Sequence, residues 1–235
     1  MAKDNKKGPV IRIEGAWKTY LMGEVEVHAL RGLDLEINRG EFIAIQGPSG
    51  SGKSTAMNLV GCLDIPSKGH IYLEGEDISL MDESELAQIR GRKIGFIFQK
   101  FNLINTLTAL ENVMLPLTFQ GYPPEERQAR AKKLLKMVEL DDRMDHKPTE
   151  MSGGQQQRVA IARAMAVDPD IILADEPTGN LDSKMGIGVM EFLKDLNKKH
   201  GKTIIMVTHD DKLAKQAHRV EHLMDGAIVR STSKK

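Results

Sequence analysis

Apolar and polar residues alternate along two segments near the start of the chain. Residues 10–17 (VIRIEGAW) and 33–37 (LDLEI) follow the two-residue period of a strand with one exposed face. By contrast, residues 41–47 (EFIAIQG), 170–176 (DIILADE) and 202–209 (KTIIMVTH) are nearly continuous apolar runs that end in polar residues. Such runs are typical of central strands in a sheet that is covered on both faces. The pattern therefore predicts an α/β core.

Helical patterns dominate the middle of the chain. In residues 81–90 (MDESELAQIR), Asp82 precedes Glu85 by three positions, which is the spacing of an acid-capped helix start. Residues 123–140 begin with proline and glutamate and then place apolar side chains on one face. Residues 185–201 end with two lysines and a glycine, which favours a helix stop. We therefore predict a mostly helical insertion within the α/β core.

The composition is that of an ordinary soluble protein. Hydrophobic residues make up 40% and charged residues 28% of the 235 residues. Lysine and arginine together number 33, as do aspartate and glutamate, so the formal net charge is zero. A protein that binds nucleic acid over its whole surface is usually basic, and we expect no nucleic-acid partner. The length suits a single domain, residues 1–235, with the helical subdomain inserted at about residues 100–165.

Several features of the sequence bear on where the protein is located. The polar residues 1–7 are expected to be mobile, and the apolar stretch of a signal peptide does not follow them. The longest apolar runs, such as 171–174 and 204–207, are far shorter than the roughly 20 residues of a membrane span. Cys62 is the single cysteine, which excludes an internal disulfide and suits a reducing compartment. We expect a cytoplasmic protein that reaches a membrane only through another chain.

A glycine-rich loop after the third predicted strand indicates phosphate binding. The sequence GPSGSGKS at 47–54 matches G-x-x-x-x-G-K-[ST] and lies between a predicted strand and a predicted helix, although a short pattern can match by chance. Glycines let the backbone wrap a phosphate, Lys53 can bridge the β- and γ-phosphates, and the Ser54 hydroxyl can bind Mg²⁺. The predicted nucleotide contacts in this loop are Gly47, Pro48, Ser49, Gly50, Ser51, Gly52, Lys53, Ser54 and Thr55.

Two adjacent carboxylates end a later apolar strand. In the sequence IILADEPT, Asp175 and Glu176 follow four apolar residues and precede Pro177. Ligands of open parallel sheets bind at the carboxyl edge of the strands. There Asp175 would hold Mg²⁺, and Glu176 would polarise the attacking water as a general base. A cap for the segment after Pro177 is the alternative explanation.

Three further residues suit a nucleotide site but have ordinary explanations when each is taken alone. His209 follows a predicted strand and could contact the γ-phosphate and orient the attacking water, or it is a structural histidine. Gln99 ends the short predicted strand 93–99 and could reach Mg²⁺ or the water, or it is a polar loop residue. Tyr20 follows the first predicted strand and could stack on adenine, or it is a core or surface tyrosine.

A second glycine turn, MSGGQQQR at 151–158, opens another predicted helix. Backbone N–H groups at the N-terminus of a helix form a binding site for an anion. Because the chain already has a phosphate loop, this second turn needs an explanation of its own.

Taken in order, these features resemble the ATP-binding-cassette (ABC) ATPases over about residues 10–230. The position before Ser152, commonly leucine in the family, is Met151, which is apolar and of similar volume, so we expect little consequence. The resemblance implies a P-loop NTPase fold of the ABC type, with a RecA-like α/β core, an N-terminal antiparallel β subdomain and an inserted helical subdomain. The markers are Tyr20, GPSGSGKS (47–54), Gln99, SGGQQQR (152–158), ILADEP (172–177), GNLD (179–182) and His209.

The resemblance also explains the second glycine turn. In this family two nucleotide-binding domains pack head to tail, so that the SGGQ turn of one chain faces the ATP held by the other. It implies ATP and Mg²⁺ as cofactors and a homodimer in the ATP state. Ser54, Gln99 and Asp175 would bind the metal. The residues that would act across the dimer are Ser152, Gly153, Gly154, Gln155 and, in GNLD, Asp182.

Other stretches resemble one branch of the family. VHALRGLDLEI (27–37), MNLVGCLDIPSKG (57–69) and IGFIFQKFNLINTLTALENVMLPL (94–117) look like MacB-type and lipoprotein-releasing ATPases, leaning toward the MacB type, and the cell-division protein FtsE is a close relative. This implies an integral-membrane permease with a large periplasmic domain, and a periplasmic adaptor reached through it. The chain would lie on the cytoplasmic face of the inner or plasma membrane, with residues 101–117 receiving the permease's coupling helix.

Soluble ABC ATPases are the competing class. Translation factors of the family usually fuse two cassettes, and its DNA-repair members carry coiled coils or zinc sites, whereas this sequence has one cassette and neither heptads nor cysteine clusters. An unrelated P-loop enzyme such as a kinase would not need SGGQQQR. Because the stretch after His209 is short, we expect no regulatory domain of the kind that some importers carry.

Overall fold

The computed structural model describes residues 8–234, and the chain divides into two compact units. The first unit comprises residues 1–87 and 203–235, and the second comprises residues 88–202. The start of the chain, which we expect to be mobile, lies outside the described residues. In the part of the chain that is described, no helix is both long and apolar enough to span a bilayer. The single domain with a helical subdomain at about 100–165 stays a prediction.

Ten strands and seven α-helices follow one another along residues 8–234. The strands are β1 (Ile11–Met22), β2 (Val25–Ile37), β3 (Phe42–Gln46), β4 (Lys68–Leu73), β5 (Glu76–Asp77), β6 (Ile94–Ile97), β7 (Ile171–Asp175), β8 (Thr203–Thr208), β9 (Arg219–Met224) and β10 (Ala227–Ser233). The helices are α1 (Lys53–Val60), α2 (Glu83–Lys93), α3 (Ala109–Phe119), α4 (Pro124–Met137), α5 (Gly153–Ala164), α6 (Ser183–His200) and α7 (Asp211–Ala214). Short 3₁₀ turns lie at Ile78–Leu80, Asp141–Arg143 and Pro148–Glu150.

The first unit contains two groups of strands. One is an antiparallel sheet in the order β2-β1-β4-β5. In the other, β3 lies parallel to both β8 and β9, and β10 pairs antiparallel with β9. All six residues of β8 and four of the five residues of β3 are buried. The continuous apolar runs at 41–47 and 202–209 therefore become strands that are almost wholly buried, as their composition predicts.

The first strand is longer than its alternating pattern predicts. β1 continues to Met22 because it pairs with β2 as far as Met22 and Val25, so backbone hydrogen bonds extend it beyond the hydrophobic stretch. Tyr20 consequently lies within β1, not after a strand that ends at residue 17. The strands β9 and β10 and the short helix α7 were not predicted.

The second unit combines helices with a short parallel strand pair. β6 and β7 are parallel, α5 contacts β6, and α3 packs against both α4 and α5. Three predicted ends are wrong by one to three residues: β6 ends at Ile97 rather than residue 99, β7 at Asp175 rather than 176, and α4 at Met137 rather than 140. Pairing and tertiary contacts decide where elements end, which a local pattern does not contain.

Two predicted helix signals are confirmed by their hydrogen bonds. Before α2, the Glu85 amide donates to the Asp82 carboxylate at 2.9 Å, and the Asp82 amide donates to the Glu85 carboxylate at 3.0 Å. These two bonds form the reciprocal capping box that the spacing predicts. Helix α6 ends at His200, after a run of basic residues, and the amide of the next residue, Gly201, donates to the Asn197 carbonyl at 3.0 Å. Gly201 has φ +65°, so it ends the helix as the sequence predicts.

Candidate nucleotide-binding site

The phosphate loop connects β3 to α1, and at two positions it has no room for a side chain. A Cβ atom on Gly47 would lie 2.2 Å from the Leu223 carbonyl oxygen. A Cβ on Gly52, where φ is +100°, would lie 2.4 Å from the Ala29 carbonyl oxygen. Because the obstructing atoms are backbone, these contacts cannot relax easily. The loop therefore presents its own backbone, as a phosphate cradle requires.

Lys53 folds over this loop. Its Nζ donates to the carbonyl oxygens of Gly47 at 2.8 Å and Pro48 at 2.7 Å, and the residue is only 8% exposed. The Ser51 hydroxyl is also buried, and it has no hydrogen-bond partner among residues 8–234. A buried ammonium held by carbonyls and a buried hydroxyl, both within a backbone cradle, fit the binding of a polyphosphate.

His209 lies at the same sheet edge as the phosphate loop. In the parallel pair of β3 and β8, Gln46 is the partner of Thr208, so the chain leaves both strands side by side toward Gly47 and His209. The side-chain Nε2 of Gln46 donates a hydrogen bond to the carboxylate of Asp211, two residues beyond His209. This bond, with the charge of Lys215, lowers the pKa of Asp211. The first unit thus brings its predicted phosphate ligands together.

Tyr20 belongs to a cluster that sequence reasoning did not find. The Tyr20 hydroxyl donates to Asp64 Oδ2 at 3.0 Å, Lys18 Nζ donates to Asp64 Oδ1 at 2.5 Å, and Lys18 Nζ lies 5.2 Å from the centre of the tyrosine ring. We call these residues the Lys18–Asp64–Tyr20 cluster. Lys18 precedes Tyr20 by two positions, so the two side chains share a face of the strand. Asp64 is brought to them by tertiary structure.

The cluster alters the ionisation of two of its members. Burial, followed by the hydrogen bond to Asp64, raises the pKa of the Tyr20 hydroxyl. Burial also opposes ionisation of Asp64, but hydrogen bonds from Lys18, the Ile65 amide and Tyr20 outweigh it and lower the pKa of that carboxyl. Asp64 is therefore an ionised acceptor at neutral pH that fixes the orientation of the tyrosine ring.

In the second unit, Gln99, Asp175 and Glu176 lie at the carboxyl edge of the parallel strands β6 and β7. Ile97 of β6 is the partner of Ala174 of β7, so the two segments that follow these residues start next to each other. Glu176 follows the end of β7 with φ +41°, and the Gly179 amide donates to the Glu176 carbonyl at 2.9 Å. We call residues 176–179 the glutamate turn. The turn relaxes the alternation of the strand, so neighbouring carboxylates can take different roles.

Gln99 packs against the glutamate turn. A Cβ atom on Gly179 would lie 2.8 Å from Gln99 Nε2, so the glutamine side chain lies directly on that glycine. Asn180 Nδ2 donates to the Gln99 carbonyl oxygen at 2.8 Å. The guanidinium of Arg163 donates to the carbonyl oxygens of Phe101 at 2.9 Å and Asn102 at 2.5 Å. These bonds hold the segment after Gln99 in place.

The second glycine turn is the capped N-terminus of α5. The Gln155 amide donates to Ser152 Oγ at 3.3 Å, and the Ser152 amide donates to Gln155 Oε1 at 2.9 Å. This capping box satisfies the third amide of the helix. The first amides of a helix, here those of Gly153 and Gly154, have no intrahelical acceptor and can bind an anion.

Asp182 caps the neighbouring helix. Its Oδ1 accepts hydrogen bonds from the amides of Lys184 at 3.0 Å and Met185 at 2.9 Å, which begin α6. A Cβ on Gly154 would lie 2.0 Å from Met185 Sδ, so the first turns of α5 and α6 are in close contact. The second unit therefore brings the SGGQ turn and Asp182 to one surface.

The site features and the α/β fold define a class of protein: P-loop nucleoside triphosphatases. A sequence profile of a family described as "ABC transporter" matches residues 30–179. The chain belongs to this family, and it is an ABC-type ATPase.

Curated relatives match almost the whole chain. An uncharacterized ABC transporter ATP-binding protein of Thermotoga maritima is 52% identical and covers 93% of each chain. The uncharacterized ABC transporter ATP-binding protein MJ0796 of Methanocaldococcus jannaschii is 53% identical, covering 94% of this chain and 96% of the relative. The macrolide export ATP-binding/permease protein MacB of Brucella melitensis is 50% identical over 97% of this chain, which spans only 35% of MacB.

Solved structures agree with the sequence matches. A dimeric structure of MJ0796 in a post-hydrolysis state, bound to ADP and Pi, matches with a TM-score of 0.89 and 50% identity, covering 96% of this chain. A second dimeric structure of MJ0796 gives the same TM-score at 51% identity. These matches confirm the predicted P-loop ABC fold and the ATP-binding function.

Proposed function

We propose that this protein is the ATP-hydrolysing subunit of a membrane export or mechanotransmission system of the MacB or lipoprotein-releasing kind. The observation that carries the proposal is the pairing of a phosphate loop with a separate capped glycine turn at the start of α5, in a chain 50% identical to the corresponding part of MacB. A protein that only bound ATP within one chain would not need the second anion site.

In the proposed nucleotide site, Tyr20 stacks on adenine and the phosphate loop wraps the phosphates. The loop contacts are those predicted, namely Gly47, Pro48, Ser49, Gly50, Ser51, Gly52, Lys53, Ser54 and Thr55. Lys53 is buried beside the carbonyls of its own loop, and phosphate oxygens arriving there would become its new acceptors.

The proposed metal ligands are Ser54, Gln99 and Asp175. Among the described residues, no group of three or more histidine, cysteine, aspartate or glutamate side chains could hold a metal ion. Phosphate oxygens and water would therefore complete the coordination, as is usual for Mg²⁺ bound with a nucleotide. When bound, Mg²⁺ neutralises charge on the phosphates.

For hydrolysis, we propose that Glu176 accepts a proton from the attacking water. The water oxygen then bonds to the γ-phosphorus as the bond to the ADP oxygen breaks. Gln99 and His209 would orient the water and contact the γ-phosphate. The left-handed backbone of Glu176 supports this role, because residues in sparsely populated conformations concentrate at functional sites.

We further propose that ATP joins two copies of the chain. The helix N-terminus formed by Ser152, Gly153, Gly154 and Gln155 would bind the γ-phosphate of the ATP on the second copy. Asp182, which packs beside this turn, would lie across the same interface. The exposed side chain of Ser152 and the dimers reported for MJ0796 support this arrangement.

The permease partner would bind on the second unit. Ile104, within the predicted docking segment 101–117, is 45% exposed, and Phe119, two residues beyond that segment at the end of α3, is 82% exposed. Burying such apolar surface favours association. Next to Phe119 in the chain, Gln120 and Tyr122 line an open groove of about 460 Å³. Bound to the permease, the protein would lie on the cytoplasmic face of the membrane. The permease would connect it to a periplasmic adaptor.

Co-purification from the native host tests this proposal. Tagged Glu176→Gln is expressed, membranes are solubilised with ATP present, and bound proteins are identified by mass spectrometry. We expect a permease with few membrane spans and a large extracytoplasmic domain. Recovery of cell-division proteins would instead indicate an FtsE-like role, and recovery of cytosolic partners alone would indicate a soluble ABC ATPase.

A further inference from the structure

A buried glutamine on α5 is bonded to the backbone beside Glu176. Gln157 is fully buried, and its Nε2 donates to the Pro177 carbonyl oxygen at 2.7 Å. Pro177 directly follows Glu176. The side chain therefore links the helix that begins with the SGGQ turn to the glutamate turn.

The neighbouring glutamines have different partners. Gln155 accepts from the Ser152 amide, and Gln156 donates to the Met151 carbonyl at 3.1 Å, so both serve the first turn of their own helix. Gln157 instead reaches a segment twenty residues away in the chain. Its function is thus separate from capping α5.

The side-chain amide of Gln157 makes its bond to Pro177 as a donor, through Nε2. Its Oε1 is buried and has no hydrogen-bond partner in the part of the chain that the structure describes. Rotating the amide would turn that oxygen toward the Pro177 carbonyl and place two acceptors together. Buried polar atoms without a partner are rare in folded proteins, so the one bond that this amide is shown to make needs a structural reason.

The bond from Gln157 lies at a strained point of the glutamate turn. Glu176 has φ +41°, in the left-handed region that non-glycine residues rarely adopt. Proline has no amide hydrogen, so the backbone of Pro177 can be anchored by a hydrogen bond only through its carbonyl. The bond from Gln157 supplies that anchor directly beside the residue that carries the carboxylate.

We propose that Gln157 is a positioning residue for ATP hydrolysis: by holding the Pro177 carbonyl, it fixes the glutamate turn and so the direction of the Glu176 carboxylate. The inference rests on the proposed role of Glu176 as general base. Gln157 exchanges no proton and touches no substrate. It acts by keeping the carboxylate aligned with the attacking water.

The test compares two variants at this position with a matched control. Gln157→Met keeps the volume without a donor, and Gln157→Asn keeps the amide but shortens its reach. The control is Asn197→Leu, because Asn197 is another buried amide side chain on a helix, and its Nδ2 donates to the Lys202 carbonyl oxygen at 2.9 Å. For each protein, kcat, the Kd for ATP without magnesium and the thermal midpoint are measured.

A positioning role predicts a separation of kcat from binding. We expect both Gln157 variants to lower kcat by on the order of tenfold or more while the Kd for ATP changes less than about twofold. Asn197→Leu should lower the thermal midpoint but leave the kcat of the folded protein near that of the wild type. If Gln157→Met does not fold, Gln157→Asn provides the same comparison.

Two outcomes would overturn different statements. If folded Gln157 variants keep the wild-type kcat, or if Asn197→Leu loses as much kcat as they do, Gln157 has no specific positioning role. Glu176→Gln is measured in parallel. If that variant hydrolyses ATP at the wild-type rate, the proposed role of Glu176 fails first, and the inference about Gln157 falls with it.

Discussion

At the scale of single residues, the Lys18–Asp64–Tyr20 cluster prepares one aromatic face. Lys18 lies over the tyrosine ring and is also bonded to Asp64 and to the Ile65 carbonyl. Asp64 in turn accepts from the tyrosine hydroxyl, so the ring is held both at its edge and on one face. The opposite face is the side on which a base could stack.

Replacing Asp64 should therefore weaken ATP binding without blocking it. Asp64→Asn removes the charge that holds both Lys18 and Tyr20, and we expect the Kd for ATP to rise several-fold, which is about 1 kcal/mol. Because the pKa of Asp64 is lowered below its ordinary value of about 3.9, its contribution is complete at neutral pH and is lost only on acidification. Calorimetric titration at neutral pH is the measurement.

A matched control uses a carboxylate outside the cluster. Glu24→Gln changes an exposed residue of the β1–β2 hairpin and should leave the Kd for ATP unchanged. Tyr20→Phe should weaken binding in the same direction as Asp64→Asn, since it removes the hydroxyl that donates to Asp64 and holds the edge of the ring. Equal Kd values for Asp64→Asn and the wild type would show that the cluster does not position the ring.

At the scale of elements, helix α5 joins three parts of the candidate site. Its N-terminus is the SGGQ turn, Gln157 bonds the glutamate turn, and Arg163 near its C-terminus bonds the segment after Gln99. Burial lowers the pKa of Arg163. A desolvated guanidinium is maintained only where its hydrogen bonds compensate for lost hydration, and here two backbone carbonyls do so.

We expect Arg163→Met to be destabilising, because both carbonyls of the segment after Gln99 lose a charged donor. The free energy of unfolding should fall by about 2–3 kcal/mol, measured by urea denaturation. Arg158→Met is the control on the same helix, since Arg158 pairs with Glu139 at an exposed position. Its cost should stay below about 1 kcal/mol. Similar costs for the two variants would contradict the structural role given to Arg163.

At the scale of the whole molecule, the second anion site predicts assembly. Glu176→Gln should bind ATP, fail to hydrolyse it and accumulate as a dimer, because the ligand that favours the closed state persists. Light scattering with and without ATP is the measurement. The double variant Lys53→Ala/Glu176→Gln should remain monomeric, since it lacks the phosphate-binding ammonium. Monomer alone at saturating ATP would exclude binding of ATP between two copies of the isolated chain.

Partner docking is a second prediction at this scale. Phe119→Asp adds a charge to an exposed apolar position, so it should abolish recovery of the permease while leaving basal ATP hydrolysis unchanged. Val229→Asp, an exposed apolar position on β10, is the control and should leave recovery intact. The readout is the co-purification described above. If Phe119→Asp still recovers the permease, the docking surface does not include Phe119.

Local signals in the sequence were sufficient for much of this protein. The apolar runs that became β3, β7 and β8 could be read directly, because strands buried on both faces must be apolar throughout. The phosphate loop, the acidic pair and the glycine turn before α5 could also be recognised locally, because each is defined by residues close together in the chain. The ordered set of these motifs was enough to predict the family.

Only the tertiary structure decided which distant residues support that chemistry. Asp64 meets Tyr20 across 44 positions, and Gln157 meets Pro177 across twenty. No periodicity or short motif encodes such pairs, because they form when separate elements pack together and a buried polar group must find its partner wherever the fold places one. The sequence by itself was enough to predict the family and to propose the catalytic residues, because both depend on short motifs. Packing decided how Tyr20, Gln99 and Glu176 are held.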